Sequence, residues 1–135
     1  MLAGDVVGVR GPLGAGKTRF VQGLAQGLGV ADPAGVLSPT FALIAEHPGR
    51  VRLFHVDLYR IEREEELVEL GLRDTYAGDG VCAVEWFDRF PATRPNDFVE
   101  VSIAMRPGRR RSFHVSAHGP RSSALVRAWR KRVAG

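Results

Sequence analysis

Residues 11–18 constrain this chain more than any other stretch, because three glycines, a lysine and a threonine stand there at a fixed spacing. The octapeptide runs from Gly11 to Thr18 and fits the pattern G-x-x-x-x-G-K-[ST]. An apolar, mostly β-branched run at 6–9 precedes it and predicts a buried strand. The segment 18–28 that follows carries its apolar residues on one helical stripe. Strand, glycine-rich stretch and helix, in this order, are the context in which that pattern forms a phosphate-binding loop.

Each residue type in the loop suits a bound phosphate. Backbone N–H groups can surround a phosphate only where no side chain blocks the approach, which explains Gly11, Gly14 and Gly16. The helix that begins near Lys17 directs its N–H groups and its positive dipole end at the same anion. We expect Lys17 to reach the β- and γ-phosphate oxygens and the Thr18 hydroxyl to bind Mg²⁺. The alternative is a glycine-rich turn that caps an ordinary helix.

The choice of lysine supports the phosphate interpretation. The chain has 19 basic residues, and only Lys17 and Lys131 are lysines. An ammonium group is a compact charge that fits among phosphate oxygens where a planar guanidinium would not.

Composition indicates a single globular domain, residues 1–135, with 44% hydrophobic and 25% charged residues. No apolar run approaches the roughly 20 residues of a membrane helix, and the N-terminus carries no secretory signal. The single cysteine, Cys82, excludes an internal disulfide. We therefore expect a cytoplasmic protein without membrane contact. The first strand begins almost at Met1. Most nucleotide-binding domains of this kind have a further segment before that strand, on the side where adenine binds, and we expect this segment to be missing here.

Charge is distributed unevenly along the chain. All 15 acidic residues lie at or before Glu100, whereas 101–135 is strongly basic. A basic segment of this kind can bind RNA or an acidic protein surface, or can simply be solvated. Direct RNA binding through 101–135 is therefore one alternative function.

Two acidic residues follow predicted strands. Segment 50–56 alternates, with Val51, Leu53 and His55 on one face, and Asp57 follows. The apolar run 81–84 predicts a buried central strand that ends at Glu85. A carboxylate at the end of such a strand is a candidate for organising a metal near the phosphates.

Each of these positions also has a simpler explanation. Asp57 could cap the next turn, and Trp86, after Glu85, could stack on a base or pack at the edge of the core. Thr40, in a Ser-Pro-Thr corner, is a candidate to sense the γ-phosphate and Mg²⁺, and equally a local cap.

The remaining pattern completes an α/β order of elements. We predict a helix over 62–72 that Gly71 weakens or ends, and a basic helix over 121–133. Segments 98–105 and 112–117 alternate around a basic turn and predict an antiparallel hairpin that could lean over the nucleotide. The histidines do not have metal-site spacing.

Together these pieces resemble the TsaE (YjeE) family, the small ATPases of bacterial tRNA threonylcarbamoyladenosine synthesis, over nearly the whole chain. The pieces that carry the resemblance, besides the glycine-rich loop, are Ser38-Pro39-Thr40-Phe41, His55-Val56-Asp57-Leu58-Tyr59-Arg60, Glu65-Glu66-Leu67, Leu70-Gly71-Leu72, Val81 to Trp86 and Gly108-Arg109. The resemblance implies a P-loop NTPase-like three-layer α/β fold with a mixed, partly antiparallel central sheet. It also implies ATP and Mg²⁺ as cofactors, and the TsaD and TsaB subunits as partners. The family usually has Asp where this chain has Pro12, and an extra helix before the first strand.

The resemblance also assigns roles by position. Thr18 and Glu85, with Asp57, would hold Mg²⁺; Asp57 and Thr40 would act at the γ-phosphate and its attacking water, with Lys17 and Glu85 completing the catalytic set. By position, 14–19 would hold the phosphates, and Gly108 with Arg109 would border the nucleotide. Together with the motif itself and Trp86, the predicted nucleotide contacts are Gly11, Leu13, Gly14, Ala15, Gly16, Lys17, Thr18, Arg19, Trp86, Gly108 and Arg109. The predicted function is slow, partner-activated ATP hydrolysis acting on the TsaD–TsaB complex. The alternatives are a non-hydrolysing nucleotide-gated adaptor and a small-metabolite kinase.

Overall fold

A computed structural model of the chain describes residues 1–36 and 44–134. Its strands and helices build one mixed sheet in the order β2-β3-β4-β1-β5-β6. The strands are β1 Val6–Arg10, β2 Ile44–His47, β3 Arg52–Asp57, β4 Gly80–Glu85, β5 Phe98–Arg106 and β6 Arg110–His118. The helices are α1 Lys17–Gly27, α2 Glu65–Leu70, α3 Leu72–Tyr76 and α4 Pro120–Ala134.

The sheet is parallel in its centre and antiparallel at both edges. Strands β3, β4, β1 and β5 run parallel, while β2 pairs antiparallel with β3 and β6 pairs antiparallel with β5. This confirms the predicted mixed sheet and the predicted hairpin after residue 97. It also brings β4 next to β1, although about seventy residues of chain separate them.

Helices cover both faces of the sheet, which confirms the three-layer fold. Because successive strand residues point to opposite faces, Val7 and Val9 of β1 face one hydrophobic cluster, and Val6 faces the other. The first cluster includes Val21 and Ala25 of α1 and Val126 of α4. The second includes Leu67 of α2, Leu72 and Tyr76 of α3, and Phe87.

Gly8 allows an unusually close approach in the second layer. A Cβ atom at Gly8 would lie 2.1 Å from Cγ of Phe87, whose side chain is fully buried against the strand. The Phe87 N–H donates to the Val9 carbonyl oxygen at 3.3 Å. Together these contacts fix the chain directly after β4 against β1.

The predicted helix over 62–72 is confirmed in part: a helix ends at Gly71 as expected, but it begins only at Glu65, and a second helix follows. The structure has two short helices that meet at Gly71, whose φ of 72° is left-handed and therefore breaks the helical path. The second helix runs on to Tyr76, beyond the predicted end. The break turns the chain so that Leu67 and Leu72 are buried in the same cluster.

The C-terminal elements follow the predicted pattern. Helix α4 packs Leu125, Val126 and Trp129 toward the core. Asp97 accepts hydrogen bonds from the backbone N–H groups of Arg121 (2.9 Å) and Ser122 (2.8 Å), so it satisfies the first turn of the helix from a distant loop. Within residues 1–36 and 44–134, no helix has the length and apolar content to cross a membrane.

Candidate functional site

The glycine-rich loop lies between the end of β1 and the start of α1, where its conformation depends on glycine. Gly14 and Gly16 have φ values of 81° and 100°, a region that other L-residues adopt at a cost. A Cβ at Gly16 would meet nothing within 4 Å, so the space above the loop is open. The residues that line this depression are Leu13, Gly14, Gly16, Lys17, Thr18, Arg19, Glu85 and Trp86.

Lys17 is buried at the base of the loop. Its Nζ donates hydrogen bonds to the carbonyl oxygens of Gly11 and Pro12, both at 2.8 Å, and lies 4.1 Å from the centroid of the Trp86 ring. Burial lowers the pKa of the Lys17 ammonium, and the nearby carboxylates of Glu85 and Asp57 act in the opposite direction. The lysine is thus already inside the loop, surrounded by acceptors and negative charge.

Thr18 and Glu85 meet beside this lysine. The Thr18 hydroxyl lies 3.1 Å from Oε1 and 3.2 Å from Oε2 of Glu85. Glu85 reaches this position because it is the last residue of β4 and pairs in register with Val9 of β1. Its carboxylate is only 3% exposed, so the pair is an oxygen-rich, nearly dry group next to the loop.

Sequence reasoning placed His55 on a buried face but gave it no role at the site. In the structure its Nε2 lies 2.5 Å from Oε2 of Glu85, and its side chain is completely buried. The signal was the alternation of β3: His55, two residues before Asp57, lies on the same face. The alternation does not predict which residue of a neighbouring strand accepts the hydrogen bond of His55; here it is Glu85 of β4.

Asp57 ends β3 directly beside Glu85, as their register shows. Its Oδ1 accepts a hydrogen bond from the backbone N–H of Tyr59 at 3.0 Å, so Asp57 also caps the following turn. The two interpretations of this residue are therefore compatible. Its charge acts on Lys17, which places it in the same cluster.

Trp86 is only partly buried and lies over the loop lysine. Its φ of 59° is rare for a bulky residue and turns the chain sharply after β4. The ring of Tyr59 packs against it in a tilted arrangement, with centroids 4.9 Å apart. Trp86 therefore packs at the core edge and forms a wall of the depression at the same time.

The β5–β6 hairpin contacts the loop through Arg111, which belongs to the basic turn seen in the sequence but was not selected there as a site residue. Gly108 and Arg109 lie exposed at its tip, with left-handed φ values of 74° and 63°. From the same hairpin, Arg111 donates through Nε to the Ala15 carbonyl oxygen at 3.1 Å. A third candidate, Thr40, lies outside the described residues.

The described residues provide oxygen ligands for a cation, but they do not form a complete coordination shell of side chains. Within 1–36 and 44–134, no three His, Cys, Asp or Glu side chains are grouped to hold a metal ion. Mg²⁺ needs no such cage, since proteins commonly bind it through one or two carboxylates together with phosphate oxygens and water. Thr18, Glu85 and Asp57 are the side chains that could contribute.

Comparisons of the sequence and of the fold find several similar proteins. The family model described as "Threonylcarbamoyl adenosine biosynthesis protein TsaE" matches residues 1–113. The chain is 42% identical over 100 residues to the tRNA threonylcarbamoyladenosine biosynthesis protein TsaE of Treponema pallidum, covering 74% of this chain and 73% of that protein. It is 40% identical over 123 residues to the protein of the same name from Bacillus subtilis, covering 90% and 75%. The crystal structure of Bacillus subtilis YdiB superposes with a TM-score of 0.79 at 31% identity, covering 98% of this chain and 80% of that one.

Proposed function

This chain belongs to the TsaE family, whose name refers to threonylcarbamoyladenosine biosynthesis, and we propose that it binds and slowly hydrolyses ATP with Mg²⁺. We further propose that this activity supports tRNA N6-threonylcarbamoyladenosine modification by acting on a cytoplasmic TsaD–TsaB complex.

One observation carries the ATPase proposal: Lys17, Thr18 and Glu85 line the same depression beside the glycine-rich loop. Thr18 hydrogen-bonds Glu85 at 3.1 Å, and the ammonium of Lys17 is buried beside both. A buried lysine, a hydroxyl and a carboxylate at the start of a helix form a set that suits a triphosphate with its cation. A glycine-rich turn that merely capped a helix would not need a lysine buried inside it.

The residues divide into three tasks. Backbone N–H groups of the loop and Lys17 would hold the phosphates, and Thr18 with Glu85 would hold Mg²⁺. When bound, Mg²⁺ would neutralise the negative charge on the phosphate oxygens. Glu85 is already held by Thr18 and His55, so Asp57 is the better candidate to orient the attacking water and accept its proton, with Thr40 proposed to assist.

Hydrolysis would then break the bond between the γ-phosphorus and the bridging oxygen while water adds to that phosphorus. Such a reaction depends mainly on position and charge stabilisation. Here Lys17 is bonded to the carbonyl oxygens of Gly11 and Pro12, and it must share or leave these acceptors to serve a phosphate. This supports slow turnover by the isolated chain and faster turnover once a partner closes the site.

The test is phosphate release from ATP by the purified chain, with and without the TsaD–TsaB complex. We expect a slow basal rate that rises when the complex is added. Equal rates would count against partner activation. A single-turnover measurement distinguishes the ATPase from an adaptor, because an adaptor would release or recruit the partner with ATP while leaving the bound nucleotide intact.

A further inference from the structure

We propose that His55 is a positioning residue that orients the Glu85 carboxylate, and that it thereby sets how strongly Mg²⁺ enhances nucleotide binding. This inference rests on the proposed function and assigns a role to a residue outside the phosphate-binding loop.

The contact between the two side chains is short and dry. The Nε2 of His55 lies 2.5 Å from Oε2 of Glu85, with His55 fully buried and Glu85 3% exposed. A carboxylate can only accept hydrogen bonds, so Nε2 must carry the hydrogen and donate it. Within the described residues, the other ring nitrogen, Nδ1, has no hydrogen-bond partner. Among the described residues, the imidazole of His55 therefore makes its hydrogen bond to Glu85.

His55 gives the Glu85 carboxylate a donor on a defined side. The Thr18 hydroxyl lies almost equally far from the two carboxylate oxygens, at 3.1 and 3.2 Å. It has a single hydrogen, so Thr18 by itself does not select between them. His55 does, because it holds Oε2 from the side of β3. The carboxylate plane is thus fixed before any cation arrives.

The sheet places this donor by its strand order. Residues 53, 55 and 57 of β3 point to the same face of the sheet. His55 pairs with Ala83 of β4, which lies two residues before Glu85 and points to the same face. His55 therefore reaches Glu85 diagonally across neighbouring strands, while Asp57 lies level with Glu85. Burying a carboxylate against a histidine is costly compared with apolar packing, so stability by itself does not account for the pair.

The experiment measures the affinity of the full chain for a non-hydrolysable ATP analogue by calorimetry, with magnesium chloride or with EDTA. The readout is the ratio of the two dissociation constants. In His55→Leu, which loses the donor, we expect the magnesium enhancement to fall about tenfold, the typical effect of removing a residue that orients a metal ligand. Affinity in EDTA should stay near that of the parent. His55→Gln, whose amide nitrogen can occupy the place of Nε2, should recover most of the enhancement.

Two further variants keep the result interpretable. His55→Asn has a shorter amide that does not reach Glu85, so it should behave like His55→Leu. Because asparagine is polar, this variant replaces His55→Leu if the leucine variant does not fold. His114→Leu removes an exposed histidine of β6 and should match the parent. Thermal unfolding of each variant verifies that the compared chains are folded.

The outcomes separate the two proposals. A parent chain that binds the analogue equally with magnesium and with EDTA would overturn the proposed magnesium site, and the role of His55 with it. A parent with strong enhancement and an unchanged His55→Leu or His55→Asn would overturn the role of His55 only. Equal losses in the leucine and glutamine variants would also overturn it, because the donor would then not be the cause.

Discussion

The hydroxyl of Thr18 lies 3.1 Å from Oε1 of Glu85, although the two residues are 67 positions apart in the chain. Thr18 lies in the first turn of α1, and Glu85 ends β4, so the contact exists only because β4 pairs with β1. Neighbouring parallel strands end at the same edge of a sheet, which is where ligands of such folds bind. This one hydrogen bond joins the motif to the rest of the proposed site.

Replacing the loop lysine tests the central proposal. Lys17→Ala removes the buried ammonium, and we expect ATP hydrolysis to fall roughly a hundredfold or more, the typical loss of a charge-stabilising donor. Nucleotide-driven release of the TsaD–TsaB complex in a pull-down should disappear with it. The other lysine of the chain supplies the control, since Lys131→Ala alters an exposed position on α4 and should leave both readouts unchanged. Unchanged release by Lys17→Ala would refute its role.

The Thr18 hydroxyl can be removed without changing the shape of the side chain. Thr18→Val should weaken binding of the ATP analogue in magnesium about tenfold or more, because the proposed ligand and its bond to Glu85 are both lost. Thr18→Ser keeps the hydroxyl and should retain most of the affinity. Calorimetry measures both variants, and equal affinities for valine and serine would show that the hydroxyl takes no part.

Asp57 is the proposed acceptor for the attacking water, and it also caps a turn. Asp57→Asn keeps an oxygen for the Tyr59 N–H but loses the basic carboxylate. We expect phosphate release to fall roughly 10²–10⁴-fold while binding of the analogue changes little. Asp88→Asn is the matched control, since Asp88 is exposed and its charge also acts on Lys17. If the two variants hydrolyse ATP equally well, Asp57 is not the base.

Gly8 should tolerate no side chain. A Cβ there would lie 2.1 to 2.6 Å from three atoms of the Phe87 ring, so Gly8→Ala forces the ring and the turn after β4 to move. We expect a loss of about 1–3 kcal/mol in the free energy of unfolding, as for other overpacked cores. Urea denaturation measures it. Gly23→Ala is the control: the position is an exposed site in α1 with nothing within 4 Å, and alanine should stabilise it by about 0.5–1 kcal/mol.

Cys82 should be unreactive in the folded chain. Burial raises the pKa of its thiol to about 12, so the reactive thiolate is scarce at pH 8, and the Sγ hydrogen is donated to the Thr75 carbonyl oxygen at 3.3 Å. We expect iodoacetamide to modify the chain only after unfolding in urea. Mass spectrometry gives a clear count because Cys82 is the single cysteine. Rapid alkylation of the native chain at that pH would contradict the buried position of β4.

Several parts of the site could be predicted from local sequence because their causes are local. The glycine spacing and the Lys17-Thr18 ending depend on backbone geometry within one turn, and the continuous apolar run at 81–84 indicates a buried strand wherever that strand lies. Gly71 ends the predicted helix as expected, but the second helix after it was not predicted, because the left-handed φ of Gly71 redirects the chain into a new helix that depends on packing in the core. Thr40 lies outside the described residues, so its role stays a prediction.

The sequence by itself determined the phosphate-loop signature, the order of strands and helices along the chain, and which faces of them are apolar. All of these follow from patterns a few residues long. The tertiary structure decided that His55 donates to Glu85, that Arg111 reaches Ala15 and that Trp86 lies over Lys17. These contacts depend on which strands become neighbours and on turns such as the left-handed one at Trp86. The order of the strands within the sheet depends on how the whole sheet packs between its helices, and no short sequence pattern encodes it.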